Sequence, residues 1–571
     1  MTELLFKGKE FVWNHHLAVP FRPLVMHPDK SVGNAQPDGN LIIQGDNLHA
    51  LKSLLPLYAG RIDCVFIDPP YNTGNEGWAY SDNVNAPMIK EWFNSNPVGI
   101  EDGLRHDKWC AMMWPRLRLL HELLSENGII FVCIDDNELY NLRLMLDEIS
   151  NDPANWIGTI IWKNVTDNNP TRIAVEHEYI LCFAKNKDAV EKVWKSQFSD
   201  VKDLLIRIGE EFARDFPDPV VMQSAYSQWF REHRNELWPL DRYKYIDRDG
   251  IYTGSQSVHN PGREGYRYDV MHPVTGKPCK QPLMGYRFPQ ETMCSLLDQD
   301  KILFGDDHNK IIELRVYAKD FLDKLPSVIE LDGRTAAYEL RDLFPERKKV
   351  FDTPKPTQLV EKVLSYATSR NALVLDSFAG SGTTAHAVMN LNAKDDGQRR
   401  FILVECESYA DDLTRERVRR VLVGVPSPSD GSASAGVGGS FTYCTLGDPV
   451  ELDRILTGEN LPEFRALGAV LFHMATSQPL ALDSVDESSR YLGAAAGTHV
   501  WLVYRADLDW LKSPEAALSL SFAREVAAKH PGDRHLVFAP ARHVSQRMLD
   551  SEGLPVEFVP LPYALYRVER S

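Results

Sequence analysis

Ile62-Asp63-Cys64-Val65-Phe66-Ile67-Asp68-Pro69-Pro70-Tyr71 runs six largely apolar, β-branched-rich residues straight into an acidic proline turn. The apolar run reads as a buried strand, and the turn lies just past its carboxyl end, where open α/β sheets hold their ligands. A second arrangement of this kind is Leu373-Val374-Leu375-Asp376-Ser377-Phe378-Ala379-Gly380-Ser381-Gly382-Thr383-Thr384. Here a glycine turn leads into a helix predicted over 383–391, and the missing Cβ atoms let backbone come close to a bound molecule. The Asp-Pro-Pro-Tyr turn offers a carboxylate, a carbonyl held in a rigid extended turn, and an aromatic face. Those three groups suit a flipped-out base whose exocyclic amine must be gripped.

Outward from these two turns the chain alternates strands and helices. Leu41-Ile42-Ile43-Gln44 reads as a strand, Gly45-Asp46-Asn47 as its turn, and 48–57 as the following helix. Residues 105–126 carry Met112, Leu117, Leu120 and Leu124 at helical spacing, and Asn127-Gly128 stops that helix before a strand at 129–134. Asp135-Asp136-Asn137 caps a helix over 138–149, and strands follow at 156–162 and 179–183. Such alternation predicts a mostly parallel sheet. Periodicity is poor from about 190 to 347, where Tyr, Trp, Arg, Gly and Pro are frequent, and this reads as an inserted domain of short strands and loops. The βαβ pattern resumes from Thr357 through Phe401-Ile402-Leu403-Val404-Glu405. A Pro/Ser/Gly-rich stretch then reads as a linker before an α/β appendage.

Composition bounds the classes available. A chain of 571 residues is too long for one core, and 43% hydrophobic with 25% charged residues is ordinary for a globular protein. No apolar run is long enough to span a bilayer, and the amino terminus lacks the layout of a signal peptide. The eight cysteines are scattered without a Cys-x-x-Cys pair, which predicts reduced structural thiols, no metal site and a cytoplasmic protein. A net charge of −17 argues against a nucleic-acid partner only if charge is averaged over the chain. Phosphate neutralisation is local, and between Arg231 and Arg287 ten Lys/Arg outnumber seven Asp/Glu.

Together the two turns resemble the motifs of amino-methylating DNA methyltransferases. The target-base strand precedes the cofactor strand with the irregular region between them, a circular permutation that matches the beta class, and residues 41–420 fit that family in order. The resemblance is greatest to the modification (Mod) subunit of type III restriction–modification systems. It is carried by Leu41-Ile42-Ile43-Gln44-Gly45-Asp46-Asn47-Leu48, Asp68-Pro69-Pro70-Tyr71-Asn72-Thr73-Gly74, Ile134-Asp135-Asp136-Asn137-Glu138, and 376–384 with Arg399-Arg400-Phe401-Ile402-Leu403-Val404-Glu405. It implies a circularly permuted, seven-stranded, Rossmann-like sheet that binds S-adenosylmethionine. The expected division is methyltransferase halves at 1–189 and 348–424, a target-recognition domain at 190–347, a linker at 425–440 and a carboxyl-terminal domain at 441–571.

By the same resemblance, Phe378, Gly380 and Gly382 shape the methionine pocket of the cofactor, with Asp376, Ser381 and Lys355 nearby. Glu405 accepts the ribose hydroxyls and Asp46 the cofactor's adenine amine. Asp68 and the Pro69 carbonyl grip the target amine, Pro70 stiffens the turn, and Tyr71 stacks on the base. Asp rather than Ser at the first motif position leans towards adenine N6. Arg242, Lys244, Arg263, Arg267 and Arg287 are the candidate DNA contacts. The expected partners are double-stranded DNA, a second copy of the chain in a homodimer, and a separate restriction helicase–nuclease. The alternatives are a solitary DNA methyltransferase acting on adenine N6 or cytosine N4, an RNA or protein glutamine methyltransferase, and a non-catalytic DNA-recognition subunit.

Overall fold

The computed structural model describes residues 3–74, 103–165, 172–197, 199–260, 262–425, 435–450 and 461–561. The expected linker at 425–440 lies mostly outside the described residues. The chain forms two compact units, residues 193–325 and everything on either side of them.

The larger unit is built on a ten-stranded mixed sheet. In chain order its strands are β1 (Leu24–Met26), β2 (Leu41–Gln44), β3 (Ile62–Ile67), β4 (Leu124–Ile134), β5 (Trp156–Lys163), β6 (His177–Ala184), β7 (Val328–Glu330), β8 (Leu373–Asp376), β9 (Arg400–Glu405) and β10 (Thr442–Leu446). In space they run β1-β10-β2-β9-β8-β3-β4-β6-β5-β7. The sheet therefore has three strands more than the expected seven. β1 and β10 extend one edge and β7 the other.

β8 lies in the middle, parallel to β9 (Asp376 opposite Leu403) and to β3 (Leu375 opposite Val65), and β9 is parallel to β2 (Glu405 opposite Gln44). The carboxyl ends of β2, β9, β8 and β3 therefore emerge along one edge. β6 runs antiparallel between β4 and β5, which sets Tyr179 opposite Ile134 and Glu178 opposite Trp162. The amino-terminal end of β6 thus reaches that same edge, a placement that parallel strands alone could not give.

Helices α1 (Asn47–Tyr58), α2 (Arg105–Leu123) and α3 (Leu139–Ile149) cover one face. Leu48, Leu51 and Leu54 of α1, Trp109, Met112 and Leu117 of α2, and Leu142 and Met145 of α3 bury against Val65, Ile67, Val132, Leu375 and Val404. Val65 and Ile67 share that face because strand side chains alternate. Helices α4 (Thr357–Ala367) and α5 (Thr383–Asp395) pack on each other. β4 starts at Leu124 rather than Ile129, because a register shift lets Leu124 pair with Ile62 ahead of the regular ladder. The strand absorbs Asn127-Gly128, the pair expected to stop a helix.

Residues 441–571 do not begin outside the sheet, since β10 pairs in parallel with β2 and antiparallel with β1. The region beyond it carries a four-stranded sheet of Tyr491–Ala495, Thr498–Leu502, Arg534–Ala539 and Val556–Pro560.

The 193–325 unit is more helical than its sequence suggests. Helices Asp200–Asp215 and Pro219–His233 accompany a four-stranded antiparallel sheet that includes Gly250–Ser255 and Glu313–Tyr317. Val201, Leu204, Leu205, Ile208 and Phe212 fall at helical spacing and pack with Tyr226 and Phe230, a period hidden by the flanking aromatic loops.

Candidate active site

The glycine turn joins β8 to α5. Gly380 and Gly382 have φ of +51° and +83°, left-handed values that favour glycine, and Gly382 is the N-cap of α5. A Cβ on Gly382 would lie 3.3 Å from both the carbonyl and the Cγ2 of Thr414. The turn is pinned from both sides. The Gly380 N–H donates to Glu405 Oε2 at 2.7 Å, and the Thr414 hydroxyl donates to the Gly380 carbonyl at 2.6 Å. The second Glu405 oxygen accepts from the Glu407 N–H at 3.0 Å. Burial pushes the Glu405 carboxyl above its usual range.

Asp376 ends β8 and is buried. Its oxygens accept from the Phe378 N–H at 3.0 Å and the Thr384 hydroxyl at 2.6 Å. Burial raises its pKa to about 7, against those two hydrogen bonds, which lower it. Ser381 and Thr383 hydroxyls both lie 2.9 Å from the guanidinium of Arg417, which is wholly buried behind the turn.

A small cavity of about 40 Å³ opens between the two motifs, lined by Phe66, Asp68, Lys355, Asp376, Phe378 and Gly380 among others. Lys355 spans it. Its ammonium lies 2.8 Å from Asp68 Oδ2, 3.2 Å from Glu178 Oε2 and 2.9 Å from the Tyr71 hydroxyl, and 4.9 Å from the centre of the Tyr71 ring. Tyr71 donates its own proton to Glu178 Oε2 at 2.8 Å, and Glu178 Oε1 accepts from Asn164 at 2.7 Å. Burial works against the Lys355 charge, yet the Asp68 and Glu178 carboxylates hold it above the usual lysine range. Burial raises the Tyr71 phenol well above its ordinary value, so it stays a neutral donor. Asp68 Oδ1 is buried without a hydrogen-bond partner among the described residues. An acceptor left open in a polar cavity is a place for an incoming N–H.

The residues read from sequence come together unevenly. Asp68, Lys355, Asp376, Phe378, Gly380 and Ser381 share the cavity wall. Pro70 is tied to α2, its carbonyl accepting from the Trp109 indole at 2.7 Å, and Pro69 precedes it in the turn. Glu405 reaches the site through Gly380. Asp46 caps α1, Oδ1 accepting from Leu48 and His49, while Oδ2 lies 3.6 Å from Arg116. Arg242, Lys244, Arg263, Arg267 and Arg287 are all exposed in the 193–325 unit. Glu178, Asn164 and Arg417 went unnoticed in the sequence. None belongs to a motif; the antiparallel course of β6 brings Glu178 to this edge, where Asn164 follows the carboxyl end of β5.

Similarity to known proteins agrees with this geometry. The chain is 52% identical to the EcoP15I Mod subunit of a type III restriction–modification enzyme from Escherichia coli, over 65% of this chain and 59% of that protein. It is 30% identical to the StyLTI Mod subunit from Salmonella typhimurium, over 67% and 57%. The type II methyltransferase M.KpnI of Klebsiella pneumoniae is 29% identical over 63% and 79%. The chain spans about three fifths of the length of the two Mod subunits. A family profile of DNA methylases matches residues 62–416, which include both motifs and the cavity between them. The chain belongs to the DNA methylase family.

Proposed function

We propose that the protein methylates adenine N6 in double-stranded DNA with S-adenosylmethionine, as the modification subunit of a type III restriction–modification system. The observation that carries this reading is the open Asp68 Oδ1 in a cavity shared with the glycine turn, which joins an amine acceptor to a cofactor-type wall. Similarity to two Mod subunits supports the type III assignment. The strand order, in which β2 and β3 come before β8 and β9 in the chain yet flank them in the sheet, supports the permuted arrangement.

The residues present fit S-adenosylmethionine. The glycine turn leaves room for a close backbone approach, and the Glu405 carboxylate, fixed by the Gly380 and Glu407 N–H groups, is an acceptor of the kind that a ribose diol needs. When bound, S-adenosylmethionine supplies an electrophilic methyl group on a sulfonium. Asp68 Oδ1 and the Pro69 carbonyl accept from the two hydrogens of the target amine and return electron density to its nitrogen. Tyr71 stacks on the base and offsets part of the few kcal/mol needed to unstack it from the duplex. Asp68 and the Pro69 carbonyl would hold the amine so that its lone pair faces that methyl group for direct transfer, with no covalent intermediate on the protein. Positive charge passes to nitrogen, and the surplus proton leaves towards Asp68. Positioning and a fixed negative field supply the rate.

The 193–325 unit is the target-recognition domain in this reading, its exposed arginines bridging phosphates. Methyltransferase halves on either side of that unit, a homodimer, a separate restriction subunit and a cytoplasmic location belong to the same proposal. Transfer of tritiated methyl to unmodified DNA, followed by long-read sequencing for modified adenines, tests the activity. Light scattering at micromolar concentration tests the dimer. Label recovered only in cytosine N4 would overturn the adenine assignment.

A further inference from the structure

Lys355 is a single ammonium held by two carboxylates. It lies 2.8 Å from Asp68 and 3.2 Å from Glu178, and its side chain is only 12% exposed. With Asp68 alone beside it, Lys355 would neutralise the one carboxylate that faces the target amine. Glu178 adds a second negative charge, so the trio carries net −1. The reaction moves a positive charge onto the amine nitrogen, and a buried site stabilises that charge only if its own field remains negative. Glu178 also accepts the Tyr71 hydroxyl proton at 2.8 Å and is steadied by Asn164 at 2.7 Å, so its position is fixed on both oxygens.

We propose that Glu178 is a positioning residue for methyl transfer: it balances Lys355 so that Asp68 meets the target amine with its negative charge uncompensated, and it orients Tyr71 through the ring hydroxyl. This rests on the proposed methyltransferase function. The tyrosine is thus aimed by its hydroxyl as well as by packing, and Lys355 joins Asp68 to Glu178 through charge on the base side of the cavity.

Charge balance makes a prediction that a purely structural brace does not. Glu178→Gln keeps the shape and an acceptor oxygen but takes the trio to net zero, and should lower kcat for methyl transfer at least tenfold. The KM for S-adenosylmethionine should move less than threefold, and the circular dichroism melt should be unchanged. Glu178→Asp keeps the charge and should retain most of the activity. Adding Lys355→Met to Glu178→Gln returns the trio to net −1. That double variant should recover activity over Glu178→Gln at alkaline pH, where a carboxylate without a counter-ion is ionised. Wild-type kcat in Glu178→Gln, or a double variant no better than Glu178→Gln, would overturn the inference while leaving the methyltransferase reading intact. Absence of transfer by the unaltered protein would overturn both.

Discussion

Glu405→Gln isolates one carboxylate that serves two purposes. In the structure each oxygen already accepts a backbone N–H, from Gly380 at 2.7 Å and from Glu407 at 3.0 Å. A carboxylate has about four acceptor positions, and with Tyr409 also bonded to this one the ribose hydroxyls of S-adenosylmethionine would compete for those that remain. An amide has one acceptor oxygen, and its NH2 must face either one of those N–H groups or a hydroxyl. At least one charge-assisted hydrogen bond is lost, about 1.5–3 kcal/mol, which corresponds to roughly a 10- to 150-fold weaker Kd. Calorimetric titration with S-adenosylmethionine reads this directly. The pH dependence gives a second check. Burial raises the Glu405 pKa, so the carboxyl takes up its proton at a higher pH than an ordinary glutamate does. If binding needs the ionised form, wild-type affinity falls as pH drops through that raised value, by up to about tenfold per unit below it. Glu405→Gln should lose this dependence. A Kd within threefold of wild type, or an unchanged acid limb in the variant, would remove Glu405 from the cofactor site.

Asp68→Ala should lower methyl transfer by roughly 10²–10³ or more, since one preorganised partner is commonly worth about 3–4 kcal/mol in the barrier; a gel shift should show retained DNA binding, and retained transfer would refute the role. Gly382→Ala forces an L side chain to φ +83° with its Cβ 3.3 Å from the Thr414 carbonyl. It should cost about 1–2 kcal/mol from backbone strain, read as a lower melting temperature and weaker cofactor binding. Arg263→Ala and Arg267→Ala should weaken binding across DNA sequences about equally, and each should reduce the slope of log K against log salt by roughly one if it contacts a phosphate.

The two motif turns were legible in the sequence because each is local: an apolar run, then a turn whose residues have few other uses. Strands β2, β3, β8 and β9 were legible for the same reason, their burial on both faces leaving continuous apolar runs. Asp46 shows the ambiguity that remains, because an acid after a strand and before a helix suits both ligand and cap, and its observed bonds are those of a cap. Glu178 was hidden because nothing around it marks it. Its place depends on β6 turning back between β4 and β5, and strand pairing is a property of the whole sheet. Lys355 was visible, but its partners were not: contact with Asp68 requires residues far apart in the chain to meet across β3 and β8. The helices of the 193–325 unit were obscured by a composition typical of loops.

The placement of β3 against β8 has a consequence for the nascent chain. Ile67 leaves the ribosome some 300 residues before Asp376 (376 − 67 = 309). At about 5–20 residues per second, β3 therefore waits roughly 15–60 s for its central partner. During that interval β3, β4, β5 and β6 can pair among themselves, but the apolar edge of β3 stays bare while the whole 193–325 unit is made. An unpaired edge of this kind recruits other strands. Truncated products ending before β8 should therefore aggregate, and the full chain should depend on chaperones during synthesis more than on refolding afterwards.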